Sequence, residues 1–90
     1  DVVITNPTHF SVAMEYKQGS NSAPRVVAKG QDLIALKIRE VAKENGVPLV
    51  ANPPLARGLY DNVELDEEIP ENFYKAVAEV ISYVYSIKRK

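Results

Sequence analysis

Four consecutive residues near the start of the chain, Asn6-Pro7-Thr8-His9, are of types and spacing that could cut a polypeptide. An asparagine ordinarily deamidates when the next backbone nitrogen attacks its side-chain carbonyl, and Pro7, lacking an N–H, closes that route. The reverse attack stays open. The Asn6 side-chain nitrogen can add to Asn6's own backbone carbonyl, close a five-membered succinimide and expel Pro7 as an amine. Amides are poor nucleophiles and poor electrophiles, so a flexible peptide does this very slowly. A fold that holds the two groups in a near-attack geometry can contribute up to about 7 to 11 kcal/mol. The residue before a proline is already conformationally restricted, and Asn and Pro favour the first two positions of a β-turn. A turn over these four residues brings His9 to Asn6, where an imidazole could take the carboxamide proton or deliver one to the Pro7 nitrogen. Thr8 could orient the carbonyl by a hydrogen bond. Two plainer readings stay open: Asn-Pro as a simple turn opener between strands, and His9 as a buried, hydrogen-bonded histidine.

The chain carries its own comparison. Asn52-Pro53 repeats the dipeptide but is followed by Pro54-Leu55, so Asn52 is expected to be a loop residue only. Asn45-Gly46 is the usual deamidation pair and reads as a helix cap. Other chemistries find little to work with. With no cysteine and one histidine, disulfides, thiolate sites and histidine metal clusters have no ligands, so neither metal nor cofactor is expected. There is no Gly-x-Ser-x-Gly elbow and no phosphate-cradling loop. A net charge of -1 gives no field favouring nucleic acid. No apolar run reaches the roughly 18 to 20 residues of a membrane span. Asp1 runs directly into a strand-like segment, so the chain reads as a piece of something longer.

The elements that must position the motif follow from periodicity. Residues 2–5, "VVIT", are continuously apolar up to the threonine, as in a strand buried on both faces. Residues 10–16 alternate, with Phe10, Val12, Met14 and Tyr16 on one face. A turn at 17–22 leads to a short third strand over 25–28. From 31 to 45 the period is helical, with Ile34, Ile38 and Val41, widened by Leu33 and Ala42, as the expected buried stripe. Gly46 sits where a left-handed cap belongs. A fourth strand is expected over 47–51, a short helix over 55–63, an acidic loop, then a last helix from Glu71 to about Lys88 with Phe73, Val77, Val80, Ile81 and Val84 inward. The acidic stretch (Asp61, Glu64, Asp66, Glu67, Glu68, Glu71) reads as a solvated loop, and Lys88-Arg89-Lys90 as complement to a helix C-terminus. The whole of 1–90 is read as one α/β domain: a small mixed sheet of about four strands flanked by three to four helices.

With "NPTH" stand "APRVVAKG" at 23–30, "IRE" at 38–40, "PPLARGLY" at 53–60, "IP" at 69–70 and "AVAEV" at 76–80. Together these resemble the cytoplasmic domains of the FlhB/YscU family of type III export-switch proteins over nearly the whole chain, "VVAKG" favouring the flagellar branch. One departure is Gly58, where the family pattern leads us to expect Ala. The resemblance implies a cut between Asn6 and Pro7, with pieces 1–6 and 7–90 staying associated. It implies a place on the cytoplasmic face of the bacterial inner membrane, below a transmembrane region absent from these residues. Its implied partners are other export-gate components, rod and hook export substrates, and a hook-length control protein. The implied activity is a switch of export specificity from rod and hook to filament substrates, by a single-turnover event rather than an enzyme cycle. It also suggests a substrate-docking pocket near Ala23 and Pro24, with Ala78 and Ile81 on its other wall; turn chemistry and core packing are the plainer alternatives for those residues. Two other readings remain: an interaction module that is never cut, and a fragment of an amino-group methyltransferase, whose Asn-Pro-Pro-aromatic loop both Asn-Pro stretches partly match.

Overall fold

The computed structural model describes residues 1–6, 9–17 and 22–88, with Lys88 described through its backbone only. The elements run β1 (Val2–Asn6), β2 (Phe10–Glu15), β3 (Arg25–Gln31), α1 (Leu33–Glu44), β4 (Leu49–Ala51), α2 (Pro53–Asn62), one 3-10 turn (Glu71–Phe73) and α3 (Tyr74–Lys88). Among the described residues the four strands form one mixed sheet in the order β3-β2-β1-β4. β1 is antiparallel to β2, with Ile4 opposite Val12, and parallel to β4, with Ile4 opposite Val50. The strand that opens the chain is therefore an inner strand.

Its composition explains that place. Val2 and Ile4 join Val12, Met14 and Val26 on one face, where Leu55, Ala56 and Leu59 of α2 and Val77, Val80 and Val84 of α3 complete the core. Val3 and Thr5 point to the other face and are also buried. A strand covered on both sides needs no polar alternation, which is what "VVIT" lacks.

The second face corrects part of the expected α1 stripe, of which Ala42 is buried and Ile38 half-buried as expected. Ala35 and Ala42 are the buried residues of α1, whereas Leu33 is 82% exposed, Ile34 62% and Val41 43%. Gly30 of β3 gives α1 room to lie against the sheet. A Cβ on Gly30 would collide with the side chain of Ile34. Ser11 Oγ, fully buried, donates to the Ala35 carbonyl at 3.0 Å and ties β2 to the helix. α1 ends as expected. Gly46 has φ +69, its N–H donates to the Lys43 carbonyl (3.3 Å), and the Val47 N–H donates to the Ala42 carbonyl (2.8 Å), closing a Schellman motif.

Asn52 is not merely a loop residue. Its Oδ1 accepts the Leu55 N–H at 3.3 Å and caps α2, whose first positions are prolines that have no N–H to satisfy. At the other end of α2, Lys29 Nζ donates to the Tyr60 and Val63 carbonyls at 2.9 and 2.8 Å, a cation where the helix dipole is negative. The acidic segment lies along the outer edge of β3: Val26 N–H donates to the Glu67 carbonyl and Ile69 N–H to the Pro24 carbonyl. Charged residues thus cover an edge strand that would otherwise present unpaired backbone.

Candidate functional site

β1 and β4 run parallel and end side by side, Thr5 opposite Ala51, and each continues into Asn-Pro. The two dipeptides have different surroundings. Asn52 is committed to capping α2, and its N–H donates to the Thr5 carbonyl at 2.9 Å, pinning the end of β1 one residue before Asn6. Asn6 is half-buried and pairs with Phe10 across the antiparallel ladder. Its carbonyl oxygen accepts the His9 N–H at 3.0 Å, joining the first and last residues of the motif. That oxygen is where negative charge would gather if the carboxamide attacked its own carbonyl. A main-chain donor already stands at oxyanion-hole distance from it. The sequence-assigned roles of Pro7 as leaving group and Thr8 as orienting hydroxyl fall outside the described residues.

His9 is not buried. Its side chain is 63% exposed, with Nδ1 3.7 Å from Asp32 Oδ1, and its ring meets Phe10 edge-on at 6.3 Å. Phe10 in turn packs on Tyr60 at 4.8 Å and lies under the Arg57 guanidinium, which is paired with Asp61 at 3.2 Å. His9 thus stands beside an aromatic pair shared by β2 and α2. Asp32, from the junction of β3 and α1, also donates its N–H to the His9 carbonyl at 2.8 Å. Its backbone (φ 53, ψ -116) is of a kind natural to glycine, and its side chain forms no helix cap. Such a conformation costs of order 1 to 3 kcal/mol. An exposed ion pair returns about 0.2 to 1 kcal/mol. The pairing with His9 therefore does not offset the strain, and stability does not explain why a carboxylate stands there. Sequence reasoning missed Asp32 because a turn and two strands separate it from His9.

The four residues assigned to docking are brought together. Ala23 and Pro24 on one side and Ala78 and Ile81 on the other line a largely apolar cavity of about 270 Å³, completed by Ser22, Ile69, Tyr74 and Val77. It lies at the opposite end of the sheet from Asn6, beside the pairing of Glu15 with Arg25, whereas Asn6 and Phe10 align with Gln31. Among the described residues no group of three or more His, Cys, Asp or Glu could hold a metal ion. No described helix is long and apolar enough to cross a membrane.

Residues 1–84 match the model of the FlhB HrpN YscU SpaS family. The flagellar biosynthetic protein FlhB of Bacillus subtilis is 54% identical over 90 residues, covering 100% of this chain and 25% of that protein. FlhB of Salmonella typhimurium is 54% identical over 89 residues, covering 99% and 23%. The chain thus spans about a quarter of the length of these relatives. Among solved structures, the cytoplasmic domain of FlhB from Shewanella putrefaciens superposes with a TM-score of 0.93 at 45% identity, covering 99% of this chain and 68% of that one. A mutated EscU C-terminal domain gives 0.86 at 35%, covering 91% and 82%.

Proposed function

Because the chain belongs to the FlhB HrpN YscU SpaS family, we propose that it is the self-cutting cytoplasmic switch domain of a flagellar type III export gate. Asn6 is the internal nucleophile. Its Nδ2 forms a bond to its own backbone carbon, the bond from that carbon to the Pro7 nitrogen breaks, and the proton lost by Nδ2 is made good on Pro7. Water then opens the succinimide, so the sum is hydrolysis of one peptide bond. His9 carries the proton, and Thr8 steadies the carbonyl. The reaction occurs once per molecule.

The observation that carries this reading is the hydrogen bond from the His9 N–H to the Asn6 carbonyl oxygen at 3.0 Å, at the end of a strand clamped on both sides. Donors aimed in advance at a developing oxyanion are worth about 2.7 to 4 kcal/mol each in enzymes that use them. The inner position of β1 supports the further reading that pieces 1–6 and 7–90 stay together, since Val2 and Ile4 are fully buried and flanked by β2 and β4. The cut then alters one patch of surface without dismantling the domain. In the assembled gate, at the cytoplasmic face of the inner membrane, this would alter what partners read. Those partners are other gate components, a hook-length control protein, and rod and hook substrates, for which the apolar cavity of Ala23, Pro24, Ala78 and Ile81 is the docking place. The methyltransferase reading falls with the family match.

Intact-mass analysis under denaturing conditions tests the proposal. The expected result is two species divided after Asn6, and a single species for Asn6→Ala with unchanged circular dichroism. A chain that stays whole through long incubation near neutral pH would refute it and leave an interaction module.

A further inference from the structure

Resting on that self-cutting reading, we propose that Asp32 is a positioning residue for the cleavage. It holds the His9 ring at the turn and stabilises the imidazolium formed when His9 takes the carboxamide proton. Three observations converge. The Asp32 carboxylate lies 3.7 Å from His9 Nδ1. The Asp32 N–H donates to the His9 carbonyl at 2.8 Å, so the two residues are joined through backbone as well as side chain. And Asp32 keeps a side chain at a backbone conformation that suits glycine, between the last residue of β3 and the first of α1. Strain kept at an exposed position, with a charge aimed at the imidazole of the reactive motif, is the pattern expected where geometry serves chemistry.

The proton balance is closed. The carboxamide proton passes to His9 as the new carbon–nitrogen bond forms, and from His9 to the Pro7 nitrogen as the old one breaks. Asp32 stays ionised throughout, acting through His9 and touching none of the reacting atoms. Asp32 is the charge paired with His9 among the described residues; of the cations near the Phe10–Tyr60 pair, Arg57 is engaged with Asp61 and the Phe10 ring, and Lys29 with the Tyr60 and Val63 carbonyls.

Pulse–chase labelling of the full-length chain, with the fragments separated under denaturing conditions, gives the cutting rate. Asp32→Asn removes the charge but keeps a residue that tolerates positive φ. Asp32→Gly removes the carboxylate and relaxes the backbone. Two unit charges at this separation in a water-like medium correspond to roughly fivefold in rate, which is the slowing expected of both variants. Asp32→Gly should also raise the melting temperature of the domain. Greater stability with slower cutting is a combination that a merely structural role does not give. In a His9→Ala background, Asp32→Asn should change nothing. Cutting at the parental rate in either variant would overturn the inference and leave self-cutting intact. So would an undiminished effect of Asp32→Asn in the absence of His9. A parental chain that never cuts would overturn both readings.

Discussion

Gly58 departs from the alanine expected of its family, and the structure supplies a reason that can be measured. It lies inside α2, where alanine is better than glycine by about 0.8 to 1.0 kcal/mol. A Cβ built on Gly58, however, would stand 2.9 Å from Phe73 Cε1 and 3.3 Å from Cζ. Ordinary carbon contacts begin near 3.5 Å, so the ring must retreat by about 0.6 Å. Phe73 is half-buried, packed against the core and fixed in the 3-10 turn that leads into α3. Forcing a methyl into such a place costs roughly 1 to 3 kcal/mol. Gly58→Ala is therefore expected to be neutral to destabilising, by about 0 to 2 kcal/mol, although propensity alone favours it. Phe73→Leu shortens the obstructing side chain, and in that background the same substitution should become stabilising by about 1 kcal/mol. Urea unfolding of the four chains gives the coupling energy directly, with an expected value of about 1 to 3 kcal/mol. If Gly58→Ala alone raises stability by its full helix propensity, the ring moves freely and the packing argument is refuted. The outcome also reaches the apolar cavity, which Tyr74, the next residue after Phe73, lines.

Asn52→Ala should cost about 1 kcal/mol in urea unfolding through loss of the α2 cap. Intact-mass analysis of the parent should show no cut at Asn52-Pro53. Lys29→Met keeps the length of the stem but removes the donor to the Tyr60 and Val63 carbonyls, and should destabilise by roughly 1.5 to 3 kcal/mol on the same assay. Burial first, and then the neighbouring Tyr85, hold the Tyr16 hydroxyl above its ordinary value of 10.0. A raised folded-state value favours the neutral phenol, so its contribution is whole below pH 10.0 and is lost as pH rises through the folded-state value. Tyr16→Phe should flatten the fall of stability in that alkaline window and leave neutral pH untouched, as read from unfolding curves across pH.

Much of the architecture was legible because its determinants are local. The unbroken "VVIT" marks an inner strand, the alternation after Phe10 a strand with one face in the core, and Gly46 the end of α1. The buried stripe of α3 emerged as read in Val77, Val80 and Val84. The orientation of α1 was legible only in part: Ile38 and Ala42 turn inward as read, whereas Leu33, Ile34 and Val41 do not. Hydrophobicity ranks Ile34 and Val41 above Ala35, but the turn of the helix over the sheet is set with β3, where Gly30 lies against Ile34. Asn52 was misread for a related reason: a cap is defined by the helix after it, and "NPP" looks like an interruption until its prolines are seen to be the first residues of α2. The Asn-Pro-Thr-His motif was visible as four adjacent residues. Its neighbour Asp32 was not, since only the pairing of Phe10 with Gln31 carries the β3–α1 junction to the turn.

The lateral clamping of β1 has a mechanical consequence. A load drawn along the axis of this strand strains its ladders to β2 and β4 in shear, all rungs together, rather than peeling them one at a time. Were the backbone severed after Asn6 as proposed, the non-covalent joint between the two pieces would rest on those rungs and on the burial of Val2, Val3, Ile4 and Thr5. How long that joint survived under tension would then be set by a rate of rupture, and not by any covalent bond.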